Sequence, residues 1–343
     1  MNATRYDLVL GGIVRVRLQG ASPRVAAALA MQLGAPAPER AGDAAPRPDI
    51  EVTVAEPGRP MPVDGVVDDE ASPLRVVIAD LAPGRPIPQL RSLTLLVAIA
   101  LGWAPVHAAA VRHEDRVLAI AGGRGAGKSR VQLELVEHGG TLLAAEWLLL
   151  RPGSVVPLRH PVRLRASHLA AYPRLVGVLE LPDGARLGAA AAFLRGVDAT
   201  ARPAPTWLRR PLRDAARRAA RGVTADVEPG RFGPPAITST VTTAADALDT
   251  LAILVSDADG TDEMRPGEAV PLLAELLSAD LDGLTEVVPG WAAVHGRSGI
   301  ATGWRERYEG LLTAALGGVR CVRIPRTDDL LPLDGAVVPW ILG

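Results

Sequence analysis

Of the 37 basic side chains in this chain, one is a lysine, Lys128. It closes the stretch Gly122-Gly123-Arg124-Gly125-Ala126-Gly127-Lys128-Ser129, which fits G-x-x-x-x-G-K-[ST], the pattern of a phosphate-binding loop. The pattern constrains the fold because such a loop joins a strand to a helix. Glycines let the backbone curl until successive N–H groups point inward, and the following helix adds its positive N-terminal end. Lysine supplies a compact charge on a thin stem, whereas the planar fork of arginine is bulkier and prefers bidentate partners. The flanks provide both elements. "RVLAIAG" reads as a strand, and "SRVQLELVEHG" as a helix from about Lys128 to Glu137, ended by Gly139-Gly140. The expected nucleotide contacts are residues Gly122 through Ser129, with Arg130 beside them. ATP is the expected nucleotide, and the Ser129 hydroxyl would complete a Mg2+ shell.

The rest of the composition narrows the class. The chain has 343 residues and is 48% hydrophobic, enough for two domains or one domain with insertions. A net charge of −1 gives no basic field for nucleic acid and no acidic solvating tail. Cys321 is the single cysteine, so neither an intrachain disulfide nor a cysteine metal cluster can form, and its setting "VRCVRIP" reads as a buried strand. "MNATRYDLVLGG" has no basic segment and no long apolar run, so it is not expected to be a secretory signal. The most apolar window, Leu93 to Trp103, is too short to span a bilayer and reads as a buried helix. A soluble, cytoplasmic protein without a membrane partner is expected.

Residues 1–88 read as a small N-terminal α/β domain. "YDLVLGGIVRVRLQG" carries strand material, with Val14, Val16 and Leu18 on one side and Arg15 and Arg17 on the other. "SPRVAAALAMQLG" is a helix with Ser22 as cap, proline first and Gly34 as stop. "APAPERAGDAAPRP" is a loop, and "DIEVTVAE" and "PLRVVIADL" are strands. Residues 89–343 form the second unit. A helix over Pro88 to Leu101 leads into "PVHAAAVRHEDRVLAIAG", two strands around a turn at His113 to Asp115. "TLLAAEWLLLRPG" reads as one nearly continuous strand of a sheet buried on both faces. Residues 196–242 read as an Arg/Pro-rich insertion. Beyond it, "LDTLAILVSD" is a core strand, "PGEAVPLLAELLSADL" a helix, "GWRERYEGLLTAALGG" a terminal helix and "VRCVRIPR" a final strand.

The stretch "VHAAAVRHEDRVLAIAGGRGAGKSRVQLELVEHGGTLLAAEWLLLRPG" resembles the nucleotide-binding core of HPr kinase/phosphorylase and its bacterial HPr-kinase-related relatives. The shared elements are a histidine opening the strand before the loop (His107), the loop itself, a helix ending in glycine, and a strand with acid. The resemblance covers about Pro88 to Leu194 well and Leu248 to Pro325 more weakly. It implies an α/β fold with a P-loop core of the phosphoenolpyruvate-carboxykinase/HPr-kinase type, and phosphate transfer to a serine hydroxyl. Some relatives act on a precursor peptide in natural-product pathways. Carried over by position, Lys128 meets the β- and γ-phosphates, Ser129 the Mg2+, and His107 the active-site wall. The family often forms oligomers, so a homo-oligomer is an expectation of the resemblance.

One departure bears on catalysis. Relatives usually carry two adjacent aspartates where this chain has Ala145-Glu146, and one of those aspartates is the base. Glu146 can then serve as base or as Mg2+ anchor, but not readily as both. A positioned base typically contributes roughly 10²–10⁴-fold. The expectation is therefore an ATP-dependent kinase acting on a Ser/Thr hydroxyl of a peptide, protein or small molecule, with Lys128, Glu146 and His107 as catalytic residues. The alternative is a nucleotide-binding regulatory partner with impaired catalysis. A third reading is a nucleotide-gated peptide-binding module.

Other features have plainer readings beside the functional ones. Asp257, Asp259, Asp262 and Glu263 form either a second metal shell or a solvated turn. Arg163 and Arg165 either contact phosphates or line the solvated face of an alternating strand. Arg210, Arg213, Arg217 and Arg221 fall on one helical face within the basic stretch 209–221, suited to an acidic peptide or to solvent. Trp207 alone gives no interleaved aromatic pattern for nucleic acid.

Overall fold

Alternation sets the two faces of the N-terminal sheet. The computed structural model describes residues 4–42, 44–54, 74–78, 88–173, 175, 183–201, 203, 205–220, 222–227, 247–256, 260–285, 303–325 and 337–342. Strands β1 (Arg5–Leu10) and β2 (Val14–Gln19) pair antiparallel. Val14, Val16 and Leu18 are buried, while Arg15 and Arg17 hold Asp7 at 3.1 and 2.8 Å. Burial alone would raise the Asp7 carboxyl, but its hydrogen bonds to Arg17 and Arg15 outweigh that and hold it below its ordinary value. Helix α1 (Pro23–Leu33) begins where Ser22 Oγ accepts the Val25 N–H at 3.3 Å and stops at Gly34, whose φ is 68°. Inside the stretch expected to be loop, β3 (Glu39–Arg40) pairs with β1. Strands β4 (Ile50–Val54) and β5 (Leu74–Ile78) complete a sheet of order β3-β1-β2-β4-β5.

The middle of the chain runs through α2 (Pro88–Ala100), β6 (Ala104–Val106), β7 (Ala108–His113), β8 (Arg116–Gly122), α3 (Lys128–Glu137), β9 (Thr141–Ala144), β10 (Leu148–Arg151) and β11 (Ser154–Pro157). The apolar run expected to be one strand is two, and this corrects the sequence reading. β9 pairs with β7, whereas β10 pairs with β6 and β11 in a separate three-stranded sheet. The partner ribbon breaks at His107 just as this one breaks at Ala145–Trp147. The physical reason is Trp147, which turns into the core and stacks on the His107 ring at 4.9 Å. Both breaks therefore fall at one bend.

The stretch expected to be an insertion carries regular structure where it is described. β12 (Val162–Arg165), α4 (Ala166–Ala171), α5 (Asp183–Ala201), α6 (Thr206–Ala220) and β13 (Thr224–Val227) follow one another. α6 packs along α5, and β13 pairs with β12. The described part of 196–242 packs on and pairs with its surroundings; residues 202, 204, 221 and 228–242 lie outside the described residues.

The chain then forms β14 (Thr250–Val255), β15 (Asp262–Met264), α7 (Pro266–Thr285), α8 (Trp304–Ala315) and β16 (Arg320–Pro325). A further short helix, α9 (Val337–Leu342), follows the strand expected to be last. The central sheet has the order β15-β16-β14-β8-β7-β9, with β16, β14 and β8 parallel. Ala119, Ala121, Leu251 and Ile253 join α7 and α8 in one core, while Leu118, Ile120, Ala252 and Leu254 join α3 in the other. Burial on both faces explains why these strands are continuously apolar.

Three hydrogen bonds tie the parts together. The buried Tyr308 on α8 donates its hydroxyl to the Pro105 carbonyl on β6 at 2.8 Å. Tyr308→Phe is expected to cost about 1–2 kcal/mol, because that carbonyl loses its donor. A lower urea midpoint at unchanged slope would show it. The N-terminal unit docks through the Arg159 N–H, which donates to the Gly34 carbonyl at 2.7 Å, and through His160 Nε2 to the Gln32 carbonyl at 3.2 Å. Among the described residues no helix is long and apolar enough to cross a membrane.

Candidate functional site

The glycine loop starts at the carboxyl end of β8 and ends on the first residue of α3. Gly125 and Gly127 have φ of 73° and 100°, the left-handed region that favours glycine. At Gly122 the backbone passes close to the next strand. A Cβ there would lie 3.0 Å from Leu254 Cβ and 3.1 Å from Ala126 Cβ. The Gly127 carbonyl accepts the N–H groups of Arg130 and Val131 at 3.0 and 3.1 Å, which starts the helix. The side chain of Lys128 curls back over the loop, its Nζ donating to the Gly122 and Gly123 carbonyls at 2.6 and 3.3 Å. Burial lowers the Lys128 ammonium below its ordinary value; the Asp280 and Glu146 carboxylates push it back up and Arg124 adds to the lowering. Arg124 is exposed and Ser129 half-buried.

The loop lies where the topology of the sheet reverses. β8 and β14 are parallel neighbours, with Leu254 registered on Gly122. α3 leaves β8 toward one face of the sheet and α7, after β14, packs on the other. In open α/β sheets, ligands bind outside the carboxyl ends of strands at such a reversal.

The wall beside the loop is built by the bend. His107 precedes Ala108, which is registered on Ala121, so it lies at the same end of the sheet as Gly122. Its Nδ1 lies 2.6 Å from Asp280 Oδ2 on α7, and its ring stacks on Trp147 at 15°. Glu146 is exposed at the break between β9 and β10, and Ala145 is buried beside it. The structure thus brings together the loop with Lys128, His107 and Glu146, and adds Asp280. Among the described residues, no group of three or more His, Cys, Asp or Glu side chains could hold a metal ion.

Other residues singled out in the sequence have different surroundings. Arg130 is buried in α3, next to Tyr172, whose hydroxyl donates to Glu134 Oε2 at 2.6 Å. Asp262 and Glu263 pair with Arg323 and Arg320 at 2.6 and 2.7 Å, and Asp257 and Asp259 lie outside the described residues. Arg163 and Arg165 are exposed on alternate positions of β12, and Arg163 pairs with Asp226 at 3.0 Å. The exposed Arg163 and Arg165 match the solvated strand face, whereas Asp262 and Glu263 lie on strand β15 rather than in a turn. On α6, Arg213 pairs with Asp198 at 2.7 Å; the side chains of Trp207, Arg210, Arg217 and Arg221 lie outside the described residues. Cys321 is buried, which pushes its thiol up to about 11.

Asp280 was missed by sequence reasoning. It sits in "LLSADLDG", where an acid on a helix reads as solvated, and its partner His107 is 173 positions away. The chain matches no protein-family model and no curated protein.

Proposed function

We propose that this chain binds Mg-ATP at residues 122–129 and transfers the γ-phosphoryl group to a serine or threonine hydroxyl of a peptide, protein or small molecule. In this reading the core is a P-loop fold of the HPr-kinase-related type. The observation that carries it is the loop itself. A buried-strand end, two left-handed glycines and a helix N-terminus converge on the single lysine, with two carboxylates close enough to influence its charge.

The residues present fit the nucleotide and its ion. Loop N–H groups and the α3 terminus suit phosphate oxygens. Lys128 Nζ, now on the Gly122 carbonyl, is a mobile donor that can exchange that carbonyl for phosphate. Ser129 and Glu146 would hold Mg2+, which supplies neutralising charge for the β- and γ-phosphates. Positioning and electrostatics carry most of such a reaction.

A second reading rests on one specific observation. Ala145 is buried and cannot accept a proton, so the chain could bind nucleotide as a regulatory partner without transferring phosphate. Mass spectrometry of serine- and threonine-containing acceptors after incubation with Mg-ATP separates the two. A phosphoryl mass added by the wild type and not by Lys128→Ala supports the kinase. Saturable Mg-ATP binding with no transfer to any acceptor supports the partner.

A further inference from the structure

The bend at His107 gathers more chemistry than the loop alone requires. A carboxylate that holds Nδ1 of an imidazole fixes the ring's tautomer and leaves Nε2 as the nitrogen that exchanges protons. Asp280 Oδ2 does this at 2.6 Å, and Trp147 fixes the ring plane from the side. A histidine serving only the core would be sealed. Here the side chains of His107 and Asp280 are 17% and 20% exposed, so a ligand can reach them. The pair also lies at the loop's own end of the sheet, since the position before Ala108 falls opposite Gly122.

Several other described carboxylates are engaged elsewhere. Asp7 is held by Arg15 and Arg17, Asp249 accepts the Val117 N–H, and Asp262 and Glu263 face arginines. Asp280 and Glu146 are the acids whose charge bears on Lys128. The site therefore has two carboxylates from different elements, Glu146 at the break between β9 and β10 and Asp280 on α7, where Ala145-Glu146 alone supplies a single acid.

We propose that His107 is the base that takes the acceptor's proton and that Asp280 is the residue that positions it. This leaves Glu146 to serve the metal, so one acid is not asked to do both tasks. It rests on the reading of residues 122–129 as the Mg-ATP site. In the step, the acceptor oxygen forms a bond to the γ-phosphorus as the bond from that phosphorus to the β–γ bridging oxygen breaks. The electron pair of the broken bond leaves on ADP. The hydroxyl proton passes to Nε2 of His107, while Nδ1 keeps its own proton against Asp280. The imidazolium then returns the proton to solvent.

The test uses the full chain and Mg-ATP, with water as the acceptor hydroxyl, and reads phosphate release alongside calorimetric Mg-ATP affinity. His107→Gln and Asp280→Asn are each expected to lower kcat by ~100-fold or more. Each variant should still bind Mg-ATP saturably, which also shows that it is folded. Because Asp280 acts through His107, the double variant should be no slower than His107→Gln alone. Asp280→Glu, which restores a carboxylate, should recover at least about tenfold over Asp280→Asn. Unchanged kcat in either single variant, or losses that multiply in the double, would overturn the assignment. So would a wild type that binds Mg-ATP yet releases no more phosphate than Lys128→Ala; the nucleotide site would then stand without this base. A wild type that does not bind Mg-ATP would overturn the reading of the loop, and the base with it.

Discussion

Lys128→Ala is expected to lower Mg-ATP affinity by about 100-fold and to abolish phosphoryl transfer. The ammonium is the one compact cation at the loop, and its Nζ already lies within hydrogen-bonding distance of two loop carbonyls. Charge-assisted hydrogen bonds contribute roughly 1.5–3 kcal/mol each, so losing one or two of them to phosphate accounts for that change. Lys128→Arg should recover only a small part of it. Arginine is abundant in this chain, yet its planar fork does not match the position that Nζ takes over Gly122. Neither variant should unfold the protein, because Lys128 is half-buried at a helix start and not packed in the core. Calorimetry and phosphate release on both variants check this. Equal affinity of wild type and Lys128→Ala would remove the reason for the lysine.

A second large effect is expected from acid. Burial lowers His160 to about 4, with Arg91 pushing the same way and Glu146 opposing. Burial likewise lowers His168 to about 4, helped by Arg165 and Arg130. The geometry agrees. His168 Nδ1 accepts the Arg165 N–H at 3.2 Å, which requires a neutral ring, and His160 Nδ1 is buried without a hydrogen-bond partner among the described residues. Both folded-state values lie below the ordinary 6.5, so between pH 6.5 and 4 the unfolded chain binds more protons than the folded one. Stability is therefore full above pH 6.5 and falls as pH falls through that window. Each histidine alone contributes a loss of about tenfold in the folded-to-unfolded ratio per pH unit. Asp7 acts at lower pH. Its carboxyl lies below the ordinary 3.8, so its contribution is lost only as pH falls beneath that. Urea midpoints from pH 7 to 4.5 should drop steeply, and His168→Gln should flatten the slope. A midpoint constant down to pH 4.5 would contradict the buried, neutral state of both rings.

Local signals in the chain were legible where one element decided its own ends. Ser22, Pro23 and Gly34 bracket α1 as a cap, a first residue and a left-handed stop should. The alternation of "VRVRLQ" located its buried face because each residue's environment repeats every second position. The β9–β10 break was not legible. Leucines continue on both sides of Glu146, and only the packing of Trp147 against His107 shows why the strand turns there. The pairing of β13 with β12 was hidden for a similar reason, since its register is fixed by a strand about 60 residues earlier. In the candidate site, the loop could be read from its own spacing. His107 and Asp280 come together only through a tertiary contact between α7 and the bend. Residues paired over a long sequence separation leave no local pattern, and His107 and Asp280 are such a pair.

In the proposed function, residues 122–129 hold a nucleotide's phosphates. Calorimetric titration of the wild-type chain with Mg-ATP tests it most directly. Saturable binding of one nucleotide per chain, lost in Lys128→Ala and much weaker for Mg-AMP, is the predicted result. No saturable heat at millimolar Mg-ATP, or binding that Lys128→Ala leaves unchanged, would contradict it.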